Sequence, residues 1–158
     1  MRAHQVFAAM SPERAAALMG RLREDAPLAF AQALAVASAS MRARPIYLAR
    51  RPLEKQAEAA RRAFSRVSAA DAAEQILAAY FLECRRPLLE EWLDAVGLEH
   101  ENGVLEQDEP PPPAANLLGK AVAAFREGED PEEREILLRA FAAQSAVDWP
   151  DLDHLLET

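Results

Sequence analysis

Between Pro52 and Val67 the apolar residues return at intervals of four, three, four and three: Leu53, Ala57, Ala60, Phe64 and Val67. That spacing lines one stripe of an α-helix. The opposite stripe carries Glu54, Glu58, Arg61, Arg62 and Arg66, with Glu58 and Arg62 placed as an i,i+4 ion pair in the favourable order. Acids come early and arginines late, as the helix dipole prefers.

The same grammar repeats along the chain. Ser11, Pro12 and Glu13 open a helix whose apolar face is Leu18, Met19 and Leu22, and Pro27 ends it. Residues 28–40 form a second, alanine-rich helix with Phe30, Leu34 and Ala37 turned inward. Ser68 and Asp71 read as a variant capping box before Ile76, Leu77, Tyr80, Phe81 and Cys84. Pro87 predicts a break there, followed by a helix through Leu88, Leu89, Trp92, Leu93 and Val96 that Gly97 stops.

Residues 98–107 contain Asn102-Gly103, a strong hairpin-turn signal flanked by Leu98 and by Val104-Leu105. Four prolines at 110–113, within the Asp108–Pro113 stretch, then predict an extended spacer. Beyond it, Leu118, Val122 and Phe125 mark one helix. Asp130-Pro131-Glu132-Glu133 caps another, through Ile136, Leu137, Leu138, Ala140 and Phe141. Trp149-Pro150 leads into a short terminal helix, with Trp149 placed to anchor that tail.

One stretch departs from the pattern. In 41–55, "MRARPIYLARRPLEK", Arg44 precedes Pro45 and Arg51 precedes Pro52, which pushes both toward extended backbone. This predicts a connection over 41–51, its apolar middle Ile46, Tyr47 and Leu48 tucked against the core.

Composition narrows the class. Five glycines, 6% aromatics and few β-branched residues favour helix throughout. The expectation is an all-α, compact multi-helix bundle of about seven helices, with a tiny β-hairpin at 98–107 and a Pro-rich spacer at 108–113. At 158 residues the length suits one domain over 1–158: a body, 1–107, and a C-terminal helical segment, 114–158, too short for a core of its own and so packed on that body. The echo of "RRPL" at 50 and 85 lacks a tetratricopeptide pattern. Cys84 is the single cysteine, so no internal disulfide forms. No apolar run is long enough for a signal peptide or a membrane span. The expected location is cytoplasmic, with no membrane partner.

Charge sharpens the question of function. Residues 1–68 hold twelve Arg/Lys and five Asp/Glu, net +7, whereas 69–158 hold six and twenty-one, net −15. Arg42, Arg44, Tyr47, Arg50, Arg51, Lys55, Arg61 and Arg62 form a candidate interaction patch, with Arg66 beyond it. Three readings compete for it: pairing with acids from 83–135, docking of a protein partner, or phosphate binding with Tyr47 as a stacking platform. The acidic half weighs against nucleic acid, because affinity there rests on counterion release at phosphates.

No Gly-rich phosphate loop, dinucleotide fingerprint or nucleophile elbow is present. His100 within "EHE" and His154 after "DLD" place imidazole beside carboxylate, the donor types zinc takes. Glu90, Glu91 and Asp94 crowd one helical turn as an acid/base candidate, on a face expected to be solvated. The function these features favour is a non-enzymatic helical protein-protein interaction module, such as an adaptor, regulator or small acidic inhibitor, with no cofactor. Nucleic-acid binding through 42–66 is the first alternative, and a metal-dependent enzyme using His100, His154 and nearby carboxylates the second.

Overall fold

A computed structural model describes residues 1–157. Among them the chain is all-α apart from one two-stranded hairpin. It divides into two compact units, Ala3–Cys84, and Arg85 onward together with Met1–Arg2. The first holds eleven basic and eight acidic residues, net +3; the second holds seven and eighteen, net −11.

The N-terminal unit contains α1 (Ala3–Ala9), α2 (Pro12–Asp25), α3 (Pro27–Ser40), α4 (Pro45–Ala49), α5 (Leu53–Phe64) and α6 (Ala70–Ala79). Ser11 caps α2 as expected: its hydroxyl accepts the Arg14 N–H at 3.1 Å. Helix α5 is the hub, packing against α1, α2, α3, α4 and α6. Its buried face is Ala57, Ala60, Ala63 and Phe64, whose small side chains let neighbouring backbones come close. The described residues form ten α-helices against the about seven expected. The two that the sequence pattern did not mark are α1 and α4, of seven and five residues, two turns or fewer and too short for a hydrophobic period to register.

Two local expectations over 65–71 are corrected. Val67 does not continue the α5 seam; it begins a 3-10 turn, Val67–Ala69, and is exposed. Ser68 does not cap α6, whose N-cap position is Ala69 with no side-chain bond, because that turn carries the chain directly into the helix. Helix α6 then widens into a π-helical stretch, Tyr80–Cys84, and Arg85 leaves helical geometry, φ −132°, ψ 38°. The break falls where Pro87, lacking an N–H and clashing one turn back, forbids continuation.

The C-terminal unit contains α7 (Arg86–Ala95), β1 (His100–Glu101), β2 (Val104–Leu105), α8 (Ala115–Arg126), α9 (Pro131–Ala142) and α10 (Pro150–Glu157). Gly97, at φ +73°, stops α7, with Gly97 N–H on Asp94 O and Leu98 N–H on Leu93 O closing its end. Asn102 and Gly103, both at positive φ, make the tight turn between β1 and β2. The proline-rich stretch 108–113 carries no helix or strand and lies within this unit. It is pinned, since buried Pro110 accepts the Trp149 indole N–H at 2.8 Å. Trp149 is buried against Phe141, and Trp92 touches both Phe125 and Phe141, so four aromatic rings form the spine of this core.

Candidate functional site

The basic patch is built around α4. Arg44 is extended, the geometry a residue before proline favours, and Pro45 then starts a helix at its first position. Pro52 is the N-cap of α5, so α4 has room for little more than one turn. The stretch expected as an irregular connection is therefore a short helix. Of its three apolar residues only Leu48 is buried; Ile46 and Tyr47 are 57% and 48% exposed. One turn of helix points 46 and 47 away from the side that 48 occupies.

Two contacts hold this element. From α5, the buried Gln56 side-chain amide donates to the carbonyls of Leu48 and Ala49 at 3.2 and 3.1 Å, satisfying the C-terminal end of α4. At the other side, α3 ends in a left-handed residue, Arg42, φ 56°. Arg42 N–H reaches Ala39 O and Ala43 N–H reaches Ser38 O, a terminating pair that usually places glycine where Arg42 stands. Sequence reading missed Gln56, because a glutamine on an apolar stripe gives no signal of what lies beyond its own helix.

The cations around α4 are of two kinds. Arg61 and Arg62 both engage Glu58 of their own helix, at 2.8 and 3.0 Å. The Arg61 hydrogen bond holds the Glu58 carboxyl below its ordinary range and raises the Arg61 guanidinium in turn. Arg51 lies 4.8 Å over the Tyr47 ring and donates to its hydroxyl. Arg42, Arg44, Arg50, Lys55 and Arg66 are exposed, and none has an ion-pair partner among the described residues. Arg61 and Arg62 thus pair within α5. The acidic unit neutralises arginines of its own, with Arg134 on Glu91 and both Arg126 and Arg139 on Glu135.

Two adjacent concavities share Tyr47 and Arg51. One of about 680 Å³ is lined by Ala43, Arg44, Ile46 and Arg50, and one of about 550 Å³ extends toward Lys55, Arg62 and Arg66. Exposed Met41 lies on the rim of the second. The result is an apolar floor edged by guanidinium and ammonium groups, with the Glu58 carboxylate among them on the second concavity, all within the N-terminal unit.

The histidine candidates do not assemble in this way. His100 Nε2 meets Asp94 Oδ1 at 2.8 Å, and its Nδ1 accepts the Gly103 N–H at 3.1 Å, so both ring nitrogens serve the hairpin and the helix before it. His154 is exposed on α10, and His4 belongs to α1 in the other unit. Glu91 is drawn off to Arg134. Among the described residues no three His, Cys, Asp or Glu side chains are grouped to hold a metal ion, and no helix is long and apolar enough to cross a membrane.

No protein-family model, no curated protein and no solved structure matches this chain.

Proposed function

We propose that this protein is a non-enzymatic helical interaction module, acting in the cytoplasm, whose α4 face receives an acidic protein partner. The observation that carries this reading is the set of five exposed cations on and next to α4 that have no ion-pair partner among the described residues, beside the exposed Ile46 and Tyr47. Clustered like charges repel one another, and their placement beside exposed apolar surface fits a docking role. A single cysteine agrees with a reducing compartment.

Nucleic acid would use the same groups. Against it, one face of the Tyr47 ring is already occupied by Arg51, which leaves less of a stacking platform. The N-terminal unit's net charge of only +3 also gives a weak field for a polyanion. Metal-assisted chemistry is less well supported, since His100 is fully engaged inside its own unit.

Affinity capture on the wild-type chain and on the Arg44→Glu/Arg50→Glu variant tests the proposal. The expected result is an acidic protein bound by the wild type, released by raised salt and lost from the variant. A partner held equally by both proteins would remove the α4 face from the reading.

A further inference from the structure

The hairpin β1–β2 is the chemical complement of the α4 face. His100 pairs with Leu105 and Glu101 with Val104, and Glu106 N–H donates to Glu99 O at 3.2 Å. Alternation of side chains then puts Glu99, Glu101, Val104 and Glu106 on one face of the ribbon. All four are exposed, Val104 at 55%, while His100 and Leu105 on the opposite face are half-buried. None of the three glutamates has an ion-pair partner among the described residues. Glu99 and Glu106 even stand across from each other, an arrangement that costs hairpin stability.

Each surface thus has an aliphatic centre within a ring of one charge: Ile46 among Arg44, Arg50 and their neighbours, Val104 among three carboxylates. We infer that the α4 face takes the β1–β2 hairpin of a second copy of this chain. The inference rests on the reading of α4 as a docking face and adds the identity of one occupant. Apolar centres exclude water while the surrounding opposite charges fix orientation. The contact is heterologous, one surface on each copy, so each molecule has both halves to offer.

Sedimentation velocity on the full chain over a concentration series tests this, with two charge-reversed variants. Arg44→Glu/Arg50→Glu puts carboxylates beside Ile46 in place of guanidinium groups, and Glu101→Lys/Glu106→Lys puts ammonium groups beside Val104 in place of carboxylates. The wild type should self-associate, and each variant alone should associate about tenfold more weakly or worse. An equimolar mixture should recover association, because each reversed surface then meets its match; recovery also shows that both variants are folded. A wild type that stays monomeric throughout, or a mixture no more associated than its components, overturns the inference. If the wild type stays monomeric while its α4 face captures a different acidic protein, the self-docking fails and the docking face stands. If it captures an oligonucleotide instead, both fail.

Discussion

The guanidinium of Arg134 meets the carboxylate of Glu91 edge to edge, at 2.8 and 3.0 Å, across 43 residues of sequence. The same guanidinium donates to Phe125 O and Glu129 O and lies 4.7 Å over the Phe125 ring. One buried side chain therefore ties α7, the end of α8 and the turn into α9. Gly128 makes this possible: a Cβ there would stand inside the Arg134 guanidinium.

Arg134→Met and Gly128→Ala should each destabilise the protein by roughly 1–3 kcal/mol, since each strands the buried Phe125 carbonyl and disturbs the part-buried bonds to Glu129 O and Glu91. Glu91→Gln should cost less, because Glu91 is half exposed and water can replace it. Chemical denaturation reads all three. An unchanged midpoint for Gly128→Ala would show that the guanidinium does not fill that space.

Glu58 has a depressed folded-state pKa, so its contribution to stability is fully present above the ordinary carboxylate range. It is lost as pH falls through the lowered folded value. Glu58→Gln should therefore be less stable than wild type at neutral pH, by no more than about 1 kcal/mol for a partly exposed pair. The difference should vanish in acid. Denaturation midpoints of both proteins over a pH series check this, and a gap that widens on acidification would contradict it.

Gln56 joins α5 to α4 from beneath. Gln56→Leu removes both donors to the Leu48 and Ala49 carbonyls and should cost about 1–3 kcal/mol, the penalty for stranded acceptors. It should also raise amide exchange across Pro45–Ala49 while helices α2 and α6 keep their protection. Uniform exchange across the unit would mean that Gln56 supports the core as a whole rather than α4.

Arg42 occupies a left-handed position that favours glycine. Arg42→Gly should leave the protein as stable or stabilise it by up to about 1 kcal/mol. The same change should weaken capture of an acidic partner, because an exposed cation between the lining residues Met41 and Ala43 is gone. Greater stability with undiminished capture would separate Arg42 from the docking face.

Much of the fold was legible because its punctuation is local. Ser11, Asp130, Gly97 and Asn102-Gly103 act on backbone within a few residues, and each does in the structure what its type predicts. Ser68 failed for the same reason in reverse: a 3-10 turn over Val67–Ala69 displaced it from the cap position. The candidate patch was legible only as a run of cations from Arg42 to Arg62, broken by two prolines.

Residue order by itself determined that this chain is helical, where most helices begin and end, and that its cations concentrate before residue 68. Those properties come from backbone preferences and composition, which need no partner. Tertiary structure decided which cations meet a carboxylate. Glu91 takes Arg134 from 43 residues away, and among the described residues Arg42, Arg44, Arg50, Lys55 and Arg66 are left with none. The pairs of Glu58 with Arg61 and Arg62, by contrast, lie within one helix and follow from its i,i+3 and i,i+4 spacing. Ion pairing depends on distances of a few ångströms between segments far apart in sequence, and packing of apolar faces sets those distances. The charges themselves do not.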